Sequence, residues 1–171
     1  MESPPDEPLH TSMLERTDFV ARLSAAEIRL DRHAELEPPE GLSEPDPGGT
    51  EQWEAGQVWA HMAEFVDYWH EQLKKVIGEY AGDPVPFGRT KSDAGRIAAI
   101  EIGRHAPIPA MMGRVHDSIE QLKRYLGALS PAEWNAVGRH PTLGEMDVER
   151  IVQRFIVAHI EEHADQLDGL G

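Results

Sequence analysis

Apolar residues in this chain recur every three or four positions, in four long stretches separated by proline- and glycine-rich connections. From Ser12 to about Glu37, Val20, Leu23, Ile28, Leu30 and Ala34 repeat loosely at helical spacing, and Pro38-Pro39 stops the helix. The second stretch, from about Glu54 to Tyr80, is stricter. Val58, Met62, Phe65, Trp69, Leu73 and Val76 step by four, three, four, four and three, which makes one apolar stripe. The third, from about Pro107 to Leu129, aligns Ile108, Met111, Met112, Val115, Ile119, Leu122, Leu126 and Leu129. Pro107 suits a first turn, where its missing N–H is no loss. The last stretch starts near Asp147, a good N-cap, and ends at Leu167. Val148, Val152, Phe155, Ile156, His159, His163 and Leu167 share its face.

The connections are long. Residues 38–53 hold four prolines and three glycines. Residues 82–106 allow a short helix between Ser92 and Arg104, but Gly88, Gly95 and Gly103 argue for irregular structure. Ser130-Pro-Ala-Glu133 reads as a capping box opening a short helix. Arg139 to Gly144 reads as a loop, and no strand pattern or internal repeat is evident. The expectation is an all-α four-helix bundle with long inter-helix loops. It forms one domain over residues 12–171, behind a mobile acidic tail at residues 1–11.

Composition narrows the class. The chain is 40% apolar and 27% charged, with no apolar run near the ~20 residues needed to cross a membrane. Its acidic, proline-rich start lacks the pattern of a signal peptide, so a cytoplasmic protein is expected. Having no cysteine, it has no disulfide, thiolate ligand or cysteine nucleophile. A net charge of −15 repels nucleic acid and anionic membranes, so the expected partner is a small molecule, with no nucleic acid and no membrane. A homodimer is compatible with this reading. Against the trend, Arg89, Lys91, Arg96 and Arg104 outnumber Asp93 and Glu101 between Pro84 and Ala106. Arg89, Arg96 and Arg104 are candidates to hold a carboxylate of a substrate.

The candidate chemistry lies in histidines. His159 and His163 interrupt the apolar stripe of the last helix at i and i+4, roughly 40° apart in projection. One buried histidine is ordinarily a hydrogen-bonded core residue. Two stacked on one buried face would repel if charged, and each needs a partner if neutral, and a shared metal ion satisfies both. His61 lies at the edge of the second helix's stripe and can face the bundle interior. Three imidazoles leave a coordination position open for water or substrate. His116 is a reserve ligand, His70 points to the opposite face and is expected in solvent, and His140 sits in a loop that could overhang the site. Glu64, one turn from His61, could orient a ligand or act as base; Glu162 points about 60° off the pair's axis. His159-Ile-Glu-Glu-His163 also matches the short inverted zinc-protease motif, but only eight residues follow His163, too few for a downstream carboxylate ligand.

The segments Val58-Trp-Ala-His61-Met-Ala-Glu64 and Phe155-Ile-Val-Ala-His159-Ile-Glu-Glu-His163-Ala-Asp-Gln-Leu167 resemble the DinB-like (YfiT-like) superfamily of metalloenzymes. Trp134-Asn and His140-Pro-Thr-Leu-Gly144 resemble that superfamily's approach to its final helix. The resemblance spans roughly residues 12–168. It implies a four-helix bundle holding zinc or nickel between helices, with His61, His159 and His163 as ligands. It also implies kinship with mycothiol- and bacillithiol-dependent S-transferases and mycothiol-dependent maleylpyruvate isomerase. The expected function is a metal-dependent enzyme of thiol S-transferase or hydrolase type, with a low-molecular-weight thiol as possible co-substrate. The alternative is a non-catalytic bundle that binds a metal or another ligand.

Overall fold

A computed structural model of the chain describes residues 7–45 and 50–170, with side chains from Arg16 onward. Four long helical rods make a bundle. They are α1 (Glu7–Glu35), α2 (Ala55–Glu79), α4 (Ile108–Gly127) and a final rod. The final rod runs without a break through α6 (Val148–Ile151), a π-helical turn (Val152–Val157) and α7 (Ala158–Gly169). The acidic segment expected as a tail overlaps the start of α1, and its residues 1–6 lie outside the described residues. So do residues 46–49 of the long connection.

Helix α1 packs on α4 and α7, and α2 packs on the same two, so α1 and α2 sit diagonally across the bundle. The stripes meet in the middle. Val58, Met62, Phe65, Leu73 and Val76 of α2 are fully buried, as are Val115, Ile119 and Leu122 of α4 and Val148, Val152, Ile156 and Ile160 of the final rod. Each large side chain so removed from water contributes roughly 1.5–3 kcal/mol. On α1 the buried face is Phe19, Leu23, Ala26 and Leu30, spaced four, three and four. Ile28, part of the looser expected set, is 56% exposed because it falls outside the helical step of this buried face.

The connections hold more order than expected. Helix α3 (Ala94–Gly103) is capped by Asp93, whose carboxylate accepts from Arg96 N. Helix α5 (Pro131–Trp134) begins with the expected capping box: Ser130 Oγ accepts from Glu133 N, and Glu133 accepts from Ser130 N. A three-stranded sheet joins two of the connections. β1 (Val85–Pro86) runs parallel to β2 (Val137–His140), which pairs antiparallel with β3 (Gly144–Asp147). Strands of two to four residues are too short to show a period-2 pattern, so none was read from the sequence. The hairpin turns at Gly144, whose φ of +80° is the left-handed region glycine enters freely. Its effect is to pin segment 82–106 beside His140.

Gly103, read as a sign of irregular structure, is instead a contact. A Cβ there would come within 2.9 Å of the Ala60 Cβ, so α3 lies directly on α2. Among the described residues no helix is long and apolar enough to cross a membrane.

Candidate metal centre

His61 leaves α2 and His159 and His163 leave α7, and all three turn into the seam between these helices. One ring nitrogen from each lies within 4.8 Å of the others. His61 Nε2 and His159 Nε2 are 3.3 Å apart. The surroundings are aromatic. Phe65 stacks on the His159 ring at 3.9 Å, and Trp53 stacks on His163 at 6.0 Å while meeting His61 edge-on at 5.1 Å. Trp53 reaches this position because the long connection is tied back on itself. Ser43 N donates to Trp53 O at 2.8 Å, and Trp53 N donates to Ser43 Oγ at 3.0 Å.

The outer nitrogen of each ring has an acceptor. His61 Nδ1 faces Glu64 Oε2 at 3.3 Å, His159 Nδ1 faces the Phe155 carbonyl at 3.3 Å, and His163 Nδ1 faces Gln166 Oε1 at 2.6 Å. A carbonyl, an amide oxygen and a carboxylate only accept, so each Nδ1 carries the proton and each Nε2 is left as a lone-pair donor. Burial, then the charges of neighbouring His163 and Arg96, drive the His61 pKa far below that of ordinary histidine. Burial and the two other rings do the same to His159. Neutral, Nδ1-protonated imidazoles with outer partners form the donor set that divalent transition metals take. The residues fit such an ion.

Behind His61, Glu64 forms an ion pair with Arg89, whose guanidinium lies 3.8 Å over the Tyr68 ring. Burial raises the Glu64 pKa, and Arg89 opposes that rise. Glu64 is not on the cavity wall; it reaches the site through His61. In front of the rings opens a cavity of about 990 Å³, walled by Trp53, Trp69, Phe155, His140, Arg89 and Arg96 among others. That is the upper end of the ~300–1,000 Å³ range of small-molecule sites.

The remaining candidates separate. His140 does overhang the cavity. It is buried, packs on Phe155 at 5.0 Å, and its Nδ1 accepts from Thr142 N and Leu143 N at 3.3 Å. His70 is not in solvent: it is 6% exposed, against Tyr125 at 4.9 Å, because α4 covers the flank of α2 that an isolated helix would expose. His116, the reserve ligand, is half-exposed and hydrogen-bonds Glu27 at 2.8 Å, away from the triad. Of the three arginines, Arg89 and Arg96 line the cavity. Arg104 does not; it pairs with Glu54 and Glu101. Sequence reasoning missed Trp53 and Gln166. The first had a signal, a lone tryptophan in a proline- and glycine-rich connection. The second is three residues after His163, the spacing of a helical neighbour.

A helical bundle with three histidines from two of its helices defines the class. Residues 22–167 match the DinB superfamily, and the chain belongs to it. Solved structures share the fold. YfiT from Bacillus subtilis, described as a probable metal-dependent hydrolase with an unusual four-helix bundle topology, superposes with a TM-score of 0.70 at 17% identity, over 99% of this chain and 89% of its own. Mycothiol-dependent maleylpyruvate isomerase gives 0.66 at 15% identity, over 90% of this chain and 61% of its own. The colibactin self-resistance protein ClbS, solved with double-stranded DNA, gives 0.58 at 16% identity, over 91% of this chain and 94% of its own. One protein of this fold therefore binds DNA, and the expectation that nucleic acid is excluded is not supported. No curated protein matches the sequence.

Proposed function

We propose that the chain is a metal-dependent enzyme of thiol S-transferase or hydrolase type, acting on a small molecule in the 990 Å³ cavity. The Nε2 atoms of His61, His159 and His163 hold a divalent cation, zinc or nickel by the preference of neutral imidazole. The observation that carries the reading is the set of three Nδ1 atoms each held by an acceptor, which directs three lone pairs to one place. Bound there, the cation supplies Lewis acidity and lowers the pKa of a water or thiol that reaches it.

The chain's own residues position and shield. Glu64, held by Arg89, orients His61 rather than moving a proton, since its carboxylate stands behind the ring. Gln166 and the Phe155 carbonyl fix the other two rings. Phe65, fully buried, packs against the His159 ring, and Trp53 packs against His61 on the cavity side. A cavity of this volume has room for a thiol and an electrophile together. A sulfur nucleophile must be a co-substrate, since the chain has no cysteine. The descriptions of YfiT as a probable metal-dependent hydrolase and of the isomerase as mycothiol-dependent support the two chemistries named. A thiol co-substrate also supports a cytoplasmic protein.

The test is elemental analysis of protein purified without chelator, followed by cobalt substitution. We expect one equivalent of metal and a visible spectrum that changes when a small thiol or azide is added. A closed spectrum that no donor perturbs rejects the enzyme and leaves a metal-binding bundle.

A further inference from the structure

The π-helical turn Val152–Val157 changes what faces the cavity. On an ideal α-helix, position 154 lies about 140° from position 159, on the far side of the rod. Hydrogen bonds running i→i+5 widen the turn, so each residue advances by less than 100° and position 154 is rotated toward the face of His159. Arg154 accordingly shares the cavity wall with His159, beside Phe155, Thr142 and His140.

Arg154 also differs from the other cations on that wall. Arg89 is bound to Glu64. Arg96 donates to the Lys91 carbonyl at 2.9 Å, lies 3.6 Å from Glu51 and packs over Trp53. Lys91 is engaged within the protein. Arg154 is exposed and has no hydrogen bond or ion pair among the described residues. This is notable in a chain with 31 carboxylate residues against 16 lysines and arginines. A guanidinium without a carboxylate, opening onto a cavity with aromatic walls, is an anion receptor next to an apolar surface.

We propose that Arg154 is a specificity-determining residue that binds an anionic group of the substrate, and that the substrate class is an organic carboxylate with an apolar body. The carboxylate meets Arg154, and the body lies against Phe155 and Trp69. This places recognition on the final rod instead of the basic stretch 84–106. The inference rests on the cavity being the substrate site proposed above.

The experiment uses the full chain, zinc-loaded, and calorimetric titration with 2-naphthoate and the neutral 2-naphthalenemethanol. Circular dichroism checks the fold of each variant. Wild type should prefer the carboxylate. Arg154→Gln should weaken 2-naphthoate about tenfold or more and leave the alcohol unchanged, as expected for loss of one charge-assisted contact. Arg154→Lys should recover part of the loss, and Arg139→Gln, on the outside of the hairpin, should have no effect. Equal losses for both ligands, an unchanged carboxylate affinity, or no carboxylate binding to wild type overturns the proposal. Metal content of the wild-type protein is measured separately. Discrimination by Arg154 in wild-type protein that takes up no metal would reject the metalloenzyme and keep this inference. Metal uptake without discrimination would do the reverse.

Discussion

His61 Nε2 lies 3.3 Å from His159 Nε2, although the two rings hang from different helices and 98 residues separate them in the chain. Both Nδ1 atoms are turned away onto acceptors, so neither Nε2 has a proton to offer the other. Two facing lone pairs at this distance repel unless a cation or a proton comes between them. Burial opposes the proton, because it disfavours imidazolium in both rings. A divalent cation between them would relieve the contact.

Removing any one ring should therefore release the metal. His61→Ala, His159→Ala and His163→Ala should each lower zinc affinity by more than ~100-fold, since an outer partner alone is worth ~10–100-fold. Competition with a chromophoric chelator measures this. His105→Ala, with no part in the triad, is the control, and an equal loss there would refute the assignment.

The second rank of residues should matter less but measurably. Glu64→Ala and Gln166→Ala remove the acceptors of His61 and His163. Each should weaken zinc by about 10–100-fold while secondary structure is retained. Arg89→Gln should act in the same direction through Glu64. If Glu64→Gln abolishes turnover at unchanged metal content, Glu64 transfers a proton and the orienting role is wrong.

His70 should make the fold acid-sensitive. Burial first, then Lys74, lowers its pKa below the usual value, opposed by Glu71 and Asp67. Its Nε2 is buried without a hydrogen bond, and Tyr125 covers the ring. A folded-state pKa below the unfolded value of ~6.5 means that the stability is present above that pH and is lost as pH falls through it. The loss from one such group has a limiting slope of ~1.4 kcal/mol per pH unit. Chemical denaturation at pH 7.5 and 5.5 should show a smaller drop for His70→Gln than for wild type. An identical drop would assign the sensitivity to other groups.

Gly56 should tolerate no side chain. A Cβ there would run into the Arg104 carbonyl oxygen, a backbone atom that cannot rotate away. Gly56→Ala should force α3 from α2 and cost roughly 1–3 kcal/mol by overpacking. Because α3 anchors the segment carrying Arg89 and Arg96, the variant should also bind zinc less tightly. Thermal melts and the chelator assay on one preparation read both effects.

Much of this was legible from spacing alone. The stripes of α2 and α4 were visible because a helix repeats every 3.6 residues and each buries one face. The capping box at Ser130 was visible because its residues are neighbours in sequence. His159 and His163 stood out as polar residues at i, i+4 on an apolar face, and the geometry that unites them is local. Three features needed the tertiary structure. Trp53 approaches the triad only because Ser43 holds its connection. His70 is buried only because α4 covers it. The π-turn that carries Arg154 to the cavity has no one-dimensional signature, since packing decides where a helix admits an extra residue. A sequence records periodicity and side-chain chemistry. Which faces meet, and which charges find a partner, is decided when the helices close on one another.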